Sequence, residues 1–181
     1  MDSLFLLQFA CFIFMLINAF IVALSHLHVR WENKRYERSR WMIVVALLGL
    51  AIQYVIQMGF GFRAADDSLG AVVNILVYTP CFSLISMGIY NIEATRSNLR
   101  KMILMCSGIY AAIIVVFCVG ISLHHSLYIR EGLYIMLALF CVSVIYCISM
   151  IVREMIRRRN LLETMAATDI LPYVSHNKIF Y

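Results

Sequence analysis

The sequence predicts an all-α integral membrane protein: a bundle of five transmembrane helices, N-terminus outside the cytoplasm and C-terminus inside. Three observations lead there. Of 181 residues, 63% are apolar and only 14% charged, with a mean hydropathy of +0.86, whereas soluble domains are about half apolar and about a quarter charged. Five stretches free of Asp, Glu, Lys and Arg reach the roughly 20 residues that a helix needs to cross a hydrocarbon layer about 30 Å thick. The basic residues gather between these stretches on one side, the pattern that fixes orientation in a bilayer.

The charge-free stretches are Ser3–Val29, Trp41–Phe62, Ser68–Ile92, Met102–Ile129 and Gly132–Val152. Helices are expected within them at about 4–24, 41–60, 71–92, 102–123 and 132–152, so that 1–152 is the bundle and 153–181 a cytoplasmic helical extension and tail. Barrel strands are excluded by length, since such strands alternate over about ten residues. The first stretch follows Asp2 rather than a basic region and outruns a signal-peptide core, which makes it a retained anchor.

Orientation rests on where Lys and Arg fall. Arg30, Lys34, Arg35, Arg38 and Arg40 follow the first span; Arg96, Arg100 and Lys101 follow the third; Arg153, Arg157, Arg158, Arg159 and Lys178 follow the fifth. Only Arg63 and Arg130 lie on the other side. The thirteen belong in the cytoplasm, with Trp31, Tyr36 and Trp41 at the interface. This clustering also accounts for the net charge of +5 without a nucleic-acid partner.

The spans themselves carry no ionisable residue of the kind that marks proton relays and ion paths. Their polar residues are neutral. Gln53 and Gln57 stand four apart on one face of the second span, with Asn74 in the third and Gln8 and Asn18 in the first. Such groups either hold helices together or line a polar ligand pocket toward the outer half of the bundle. Pro80 lies mid-span and removes the hydrogen bond to the Leu76 carbonyl, so a kink or hinge is expected there, with Thr79, Ser83 or Ser86 supplying the lost donor. Gly108 and Ala112 form a small-residue pair expected to allow close helix approach inside the bundle.

Catalytic and metal chemistry find no motif. His26, His28, His124 and His125 sit at span ends without acidic or thiol partners nearby in sequence, and the adjacent Asp66 and Asp67 point apart in a turn. The six cysteines all lie in apolar runs with no C-x-x-C spacing, as packed or lipid-facing thiols would. No catalytic residue, metal ligand or cofactor is assigned.

Beyond Val152 the helix is expected to run on to about Thr168, projecting about 25 Å, until Pro172 blocks it. Arg157, Arg158 and Arg159 on this extension are candidates for coupling to anionic headgroups or to a partner. Ile156, Leu161, Leu162 and Met165 form an apolar stripe too short for a coiled coil alone, so a cytoplasmic partner or self-association through 153–168 is expected.

The hinge WENKRYERSRW, the segment YNIEATRSNLRK and the stretch REMIRRRNLLETMAATDILPYV resemble the membrane-embedded input module of multi-span bacterial sensory regulators, especially the membrane-anchored AraC-type regulators of the Bacteroides group. The resemblance lies in layout up to about Val174. Proteins of that kind run on into further spans and a helix-turn-helix or kinase domain. The roughly twenty residues after Asn160 cannot build one, so the resemblance implies a truncated relative or an isolated module acting through a partner. The reading is therefore a non-enzymatic sensor or signal-relay module of a bacterial cytoplasmic (inner) membrane. A small-solute facilitator or transporter subunit, or a purely structural membrane subunit, is the alternative.

Overall fold

The computed structural model describes residues 3–25, 34–61, 67–94, 98–124 and 130–177. They form five helices: α1 (Ser3–Leu24), α2 (Lys34–Phe60), α3 (Asp67–Glu93), α4 (Leu99–His124) and α5 (Arg130–Asn177). Each is long and apolar enough to cross a membrane. Large side chains such as Phe14, Leu104, Leu123 and Ile145 stand exposed on the outer faces. Exposed apolar surface on this scale is of the kind found where a protein meets a membrane or another protein.

Two helices outrun their apolar cores. α2 begins at Lys34, seven residues before Trp41, because KRYERSR consists mostly of good helix formers whose arginines find partners on neighbouring helices. α5 does not end near Thr168 as the sequence suggested; it continues past Pro172 to Asn177. Beyond the apolar core, water can bond the Thr168 carbonyl that Pro172 leaves free, so the proline removes one rung without ending the helix. At the other extreme, α2 stops where Gly61 takes φ +58° and its N–H bonds the Gln57 carbonyl at 3.0 Å, a left-handed glycine cap.

α3 is the hub: α2 packs along one flank, and α4 and α5 along the others, while α1 packs on α2. Glycine brings α2 and α3 together. A Cβ on Gly88 would come within 2.7 Å of Ile43 and 3.0 Å of the Ser39 carbonyl, and one on Gly49 within 3.0 Å of Cys81 Sγ. Gly108 does not act this way: its Cβ position meets nothing within 4 Å, and α4 turns it outward. The small pair in the fourth span is thus not a packing point within this fold.

Three apolar clusters fill the bundle. Ala46, Leu50 and Cys81 join α2 to α3 with Met15 of α1 against them. Val72, Ile75, Ile113 and Met136 lie where α3 begins and α4 ends. Met87, Tyr90, Met102, Cys106 and Cys147 close the basic end, where α3 finishes and α4 starts.

Candidate functional site

The polar residues of the interior follow α3 from one end to the other. In the half remote from the basic end, Gln53 and Gln57 of α2 both donate through Nε2 to Asn74 Oδ1 of α3, the first at 3.2 Å. Both glutamines are almost fully buried, at 1% and 3% exposure. The helical spacing of four aims them at one acceptor, whose two lone pairs are then occupied. Gln53 Oε1 is buried and has no hydrogen-bond partner among the described residues. The trio therefore retains one buried acceptor that has no donor among the described residues. Tyr54 stands beside Tyr78 of α3 and Cys11 of α1 in the same region.

Pro80 lies inside α3. The carbonyl it deprives of an N–H belongs to Leu76, and Tyr110 of α4 donates its hydroxyl to that oxygen at 3.1 Å. The replacement donor is thus not Thr79, Ser83 or Ser86. Thr79 bonds the Ile75 carbonyl at 2.6 Å, the usual back-bond of a helical threonine. With Thr79 committed to Ile75, and Ser83 and Ser86 seven and ten residues past Leu76, the donor comes from the neighbouring helix, where a tyrosine is long enough to reach across. The helix defect and the α3–α4 contact are in this way one feature.

At the basic end the arginines that follow the first span do more than follow the positive-inside pattern. Arg35 donates from Nε to the Asn91 carbonyl at 2.5 Å and from Nη2 to the Ala94 carbonyl, covering the last carbonyls of α3. Arg40 donates to the Ala23 carbonyl at the end of α1 at 2.7 Å, pairs with Glu37 at 2.7 Å and lies over the Trp41 ring. A helix C-terminus carries partial negative charge on such carbonyls, and cations there are favourable. Asn91 completes the joint by donating to Ser39 Oγ at 2.8 Å and to the Arg35 carbonyl at 3.2 Å. Tyr36 bonds the Ser25 carbonyl, and Tyr90 accepts from the Asn98 N–H that leads into α4.

The three arginines assigned to partner or headgroup coupling all have acidic neighbours within the chain. Arg158 of α5 pairs with Glu93, the last residue of α3, at 2.5 Å. Arg157 lies 3.6 Å from Glu154, and Arg159 pairs with Glu163 at 2.8 Å. Their side chains remain 49% to 80% exposed, so these pairs do not bar outside contacts. Glu154 is buried at 6%, and its Oε2 finds no partner among the described residues.

The structure thus joins Gln53, Gln57 and Asn74 in one cluster, puts Pro80 below it on the same helix and ties that helix to Arg158. Sequence reading missed Arg35, Arg40, Ser39, Asn91, Glu93 and Tyr110, and nothing local marks the pairings, which span 17 to 65 residues. His26, His28, His125, Asp66, Arg63 and Trp31 lie outside the described residues. Among the described residues, no group of three or more His, Cys, Asp and Glu could hold a metal ion. Compared with known protein families, curated proteins and solved structures, the chain matches none.

Proposed function

We propose that the chain is a non-enzymatic sensor or signal-relay module of a bacterial cytoplasmic membrane, lying N-out and C-in, in which α3 is the moving part. What supports this most is the Glu93–Arg158 contact, because it ties the end of α3 to the extension of α5. On this reading a cue that offers a hydrogen-bond donor engages Gln53 Oε1 and loosens the grip of Gln53 and Gln57 on Asn74. α3 then shifts about Pro80, where the regular ladder is already interrupted. Glu93 moves with it and redirects α5, whose exposed Leu161, Leu162 and Met165 meet a cytoplasmic partner or a second copy.

A facilitator would require a continuous polar path, and among the described residues the cluster of Ala46, Leu50 and Cys81 stands between the glutamine–asparagine trio and the basic end. The test places a photo-crosslinking residue at Leu162 of the full chain in native membranes. Adducts with a cytoplasmic protein or a second copy are expected, changing in yield when Glu93→Lys repels Arg158. If no adduct forms in either background, the relay has no output and the structural reading replaces it.

A further inference from the structure

We propose that Cys106 and Cys147 form a dithiol site that a bilayer-soluble quinone oxidises to a disulfide, its ring entering the cavity beside Cys106. Neither thiol takes part in the relay described above. Their Sγ atoms stand 3.7 Å apart between α4 and α5, and both side chains are 3% exposed. Forming the bond requires the sulfurs to close by about 1.7 Å. Ser83 and Ser86, one turn apart on α3, lie beside Cys106 and Cys147 respectively, so the pair sits in a small polar island within an apolar cluster.

The cavity gives the site its access. It measures about 360 Å³ and is walled by apolar groups such as Met42, Leu84 and Ile103, with Cys106 among the lining residues. That volume falls in the range of small-molecule sites. Ser83, Ser107 and Tyr110 also border it, but the hydroxyls of Ser107 and Tyr110 are committed to the Leu104 and Leu76 carbonyls, so the cavity presents an almost wholly apolar wall, as a quinone ring requires. Ile103 and Ser107 are exposed on the outer flank of α4, so the mouth opens toward the lipid-facing side of the helix. Peroxide or glutathione disulfide would have to shed water to enter, at a high cost without matching partners. A quinone is apolar except for its two carbonyl oxygens.

The chemistry closes without another reactant. Two S–H bonds break and one S–S bond forms. The two electrons and two protons pass to the quinone oxygens, and the product is the quinol, which leaves by the same mouth. Cys106 borders the cavity and is the sulfur that meets the quinone; Cys147 then attacks it to complete the disulfide.

The full chain, purified in detergent and fully reduced, is incubated anaerobically with a short-chain ubiquinone analogue. The expected result is one quinol per chain, four rather than six alkylatable thiols after denaturation, and a linked Cys106–Cys147 peptide. Cys106→Ser and Cys147→Ser should abolish quinol formation, while Cys118→Ser and Cys141→Ser leave it unchanged. Ile103→Trp should slow it at least tenfold by filling the mouth. Six thiols remaining in the wild type would overturn the proposal whether or not the serine variants fold. So would a mass gain equal to the quinone, which would mean simple addition. Diamide linking the pair faster than the quinone does at equal concentration, or an unchanged rate in Ile103→Trp, would overturn the cavity as the entry route.

Discussion

Replacing Tyr110 by Phe removes one hydroxyl and leaves the ring in place. The Leu76 carbonyl then has neither the helical N–H, which Pro80 lacks, nor the tyrosine donor at 3.1 Å. Hydrogen bonds between membrane helices average about 0.6 kcal/mol and reach about 1.7, while a buried acceptor stripped of its donor costs about 1–3 kcal/mol. Thr79, the nearest hydroxyl along α3, is committed to the Ile75 carbonyl, so the loss should lie high in the first range, about 1.5 kcal/mol. The diagnostic arm is Pro80→Ala. With an N–H restored at position 80, the Leu76 carbonyl regains its helical bond, and Tyr110→Phe should then cost about 0.5 kcal/mol or less. The coupling in this double-mutant cycle is therefore about 1 kcal/mol. Helical ellipticity during SDS titration of the protein in dodecyl maltoside measures all four stabilities. Equal costs of Tyr110→Phe in both backgrounds, within about 0.3 kcal/mol, would refute the link between the proline defect and the tyrosine.

Three further outcomes follow from the packing and the polar seam. Gly88→Ala drives a methyl against Ile43 and the Ser39 carbonyl and should destabilise by about 1–3 kcal/mol, whereas Gly108→Ala, with open space around it, should be neutral or stabilise by up to about 1 kcal/mol through helix propensity; the same SDS titration compares them. Replacing both Gln53 and Gln57 by Leu orphans Asn74 Oδ1 and should cost about 1–3 kcal/mol; adding Asn74→Leu should recover part of that loss, because no acceptor is then left unpaired, and a further loss would contradict the pairing. Glu93→Arg should change global stability by less than about 1 kcal/mol, since the pair is partly exposed, yet raise protease cleavage within 153–177 several-fold; adding Arg158→Glu should bring cleavage back, and no rescue would sever the link between α3 and the extension.

How far the sequence carries depends on whether a feature is written locally. Helix number came from runs of apolar residues, a property of each segment by itself, and each of the five helices contains most of one charge-free stretch, whereas the charged starts and ends of α2 and α5 were not written in those runs. The grouping of Gln53 with Gln57 was legible for the same reason, because positions four apart share a helix face. Their common partner Asn74 could be named as a candidate but not as a contact, since that depends on the register of α2 against α3. Register is set by Gly49 and Gly88 meeting opposite residues, and a glycine in the sequence does not say what it will face. Gly108 shows the converse, a small residue that no helix uses. The arginines were read as a charge count, which gives a side but no partner; that Arg35 and Arg40 seal helix ends depends on where α1 and α3 finish in space. Pro80 announced an unbonded carbonyl plainly, but its donor lay 34 residues away from that carbonyl on another helix. The Cys106–Cys147 pair, 41 residues apart, left no trace in the spacing of cysteines.

The unbroken length of α5 has a mechanical consequence. From Arg153 to Asn177 the helix extends about 37 Å beyond its apolar core, at about 1.5 Å per residue. A rod of that length magnifies angle into distance: a tilt of about 5° at its base carries the tip roughly 3 Å sideways. Glu93 grips this rod at Arg158, about five residues along, where the same tilt moves it by less than about 1 Å. A shift at the grip too small to disturb the packing of α3 thus becomes, at the far end, a displacement as large as a water molecule.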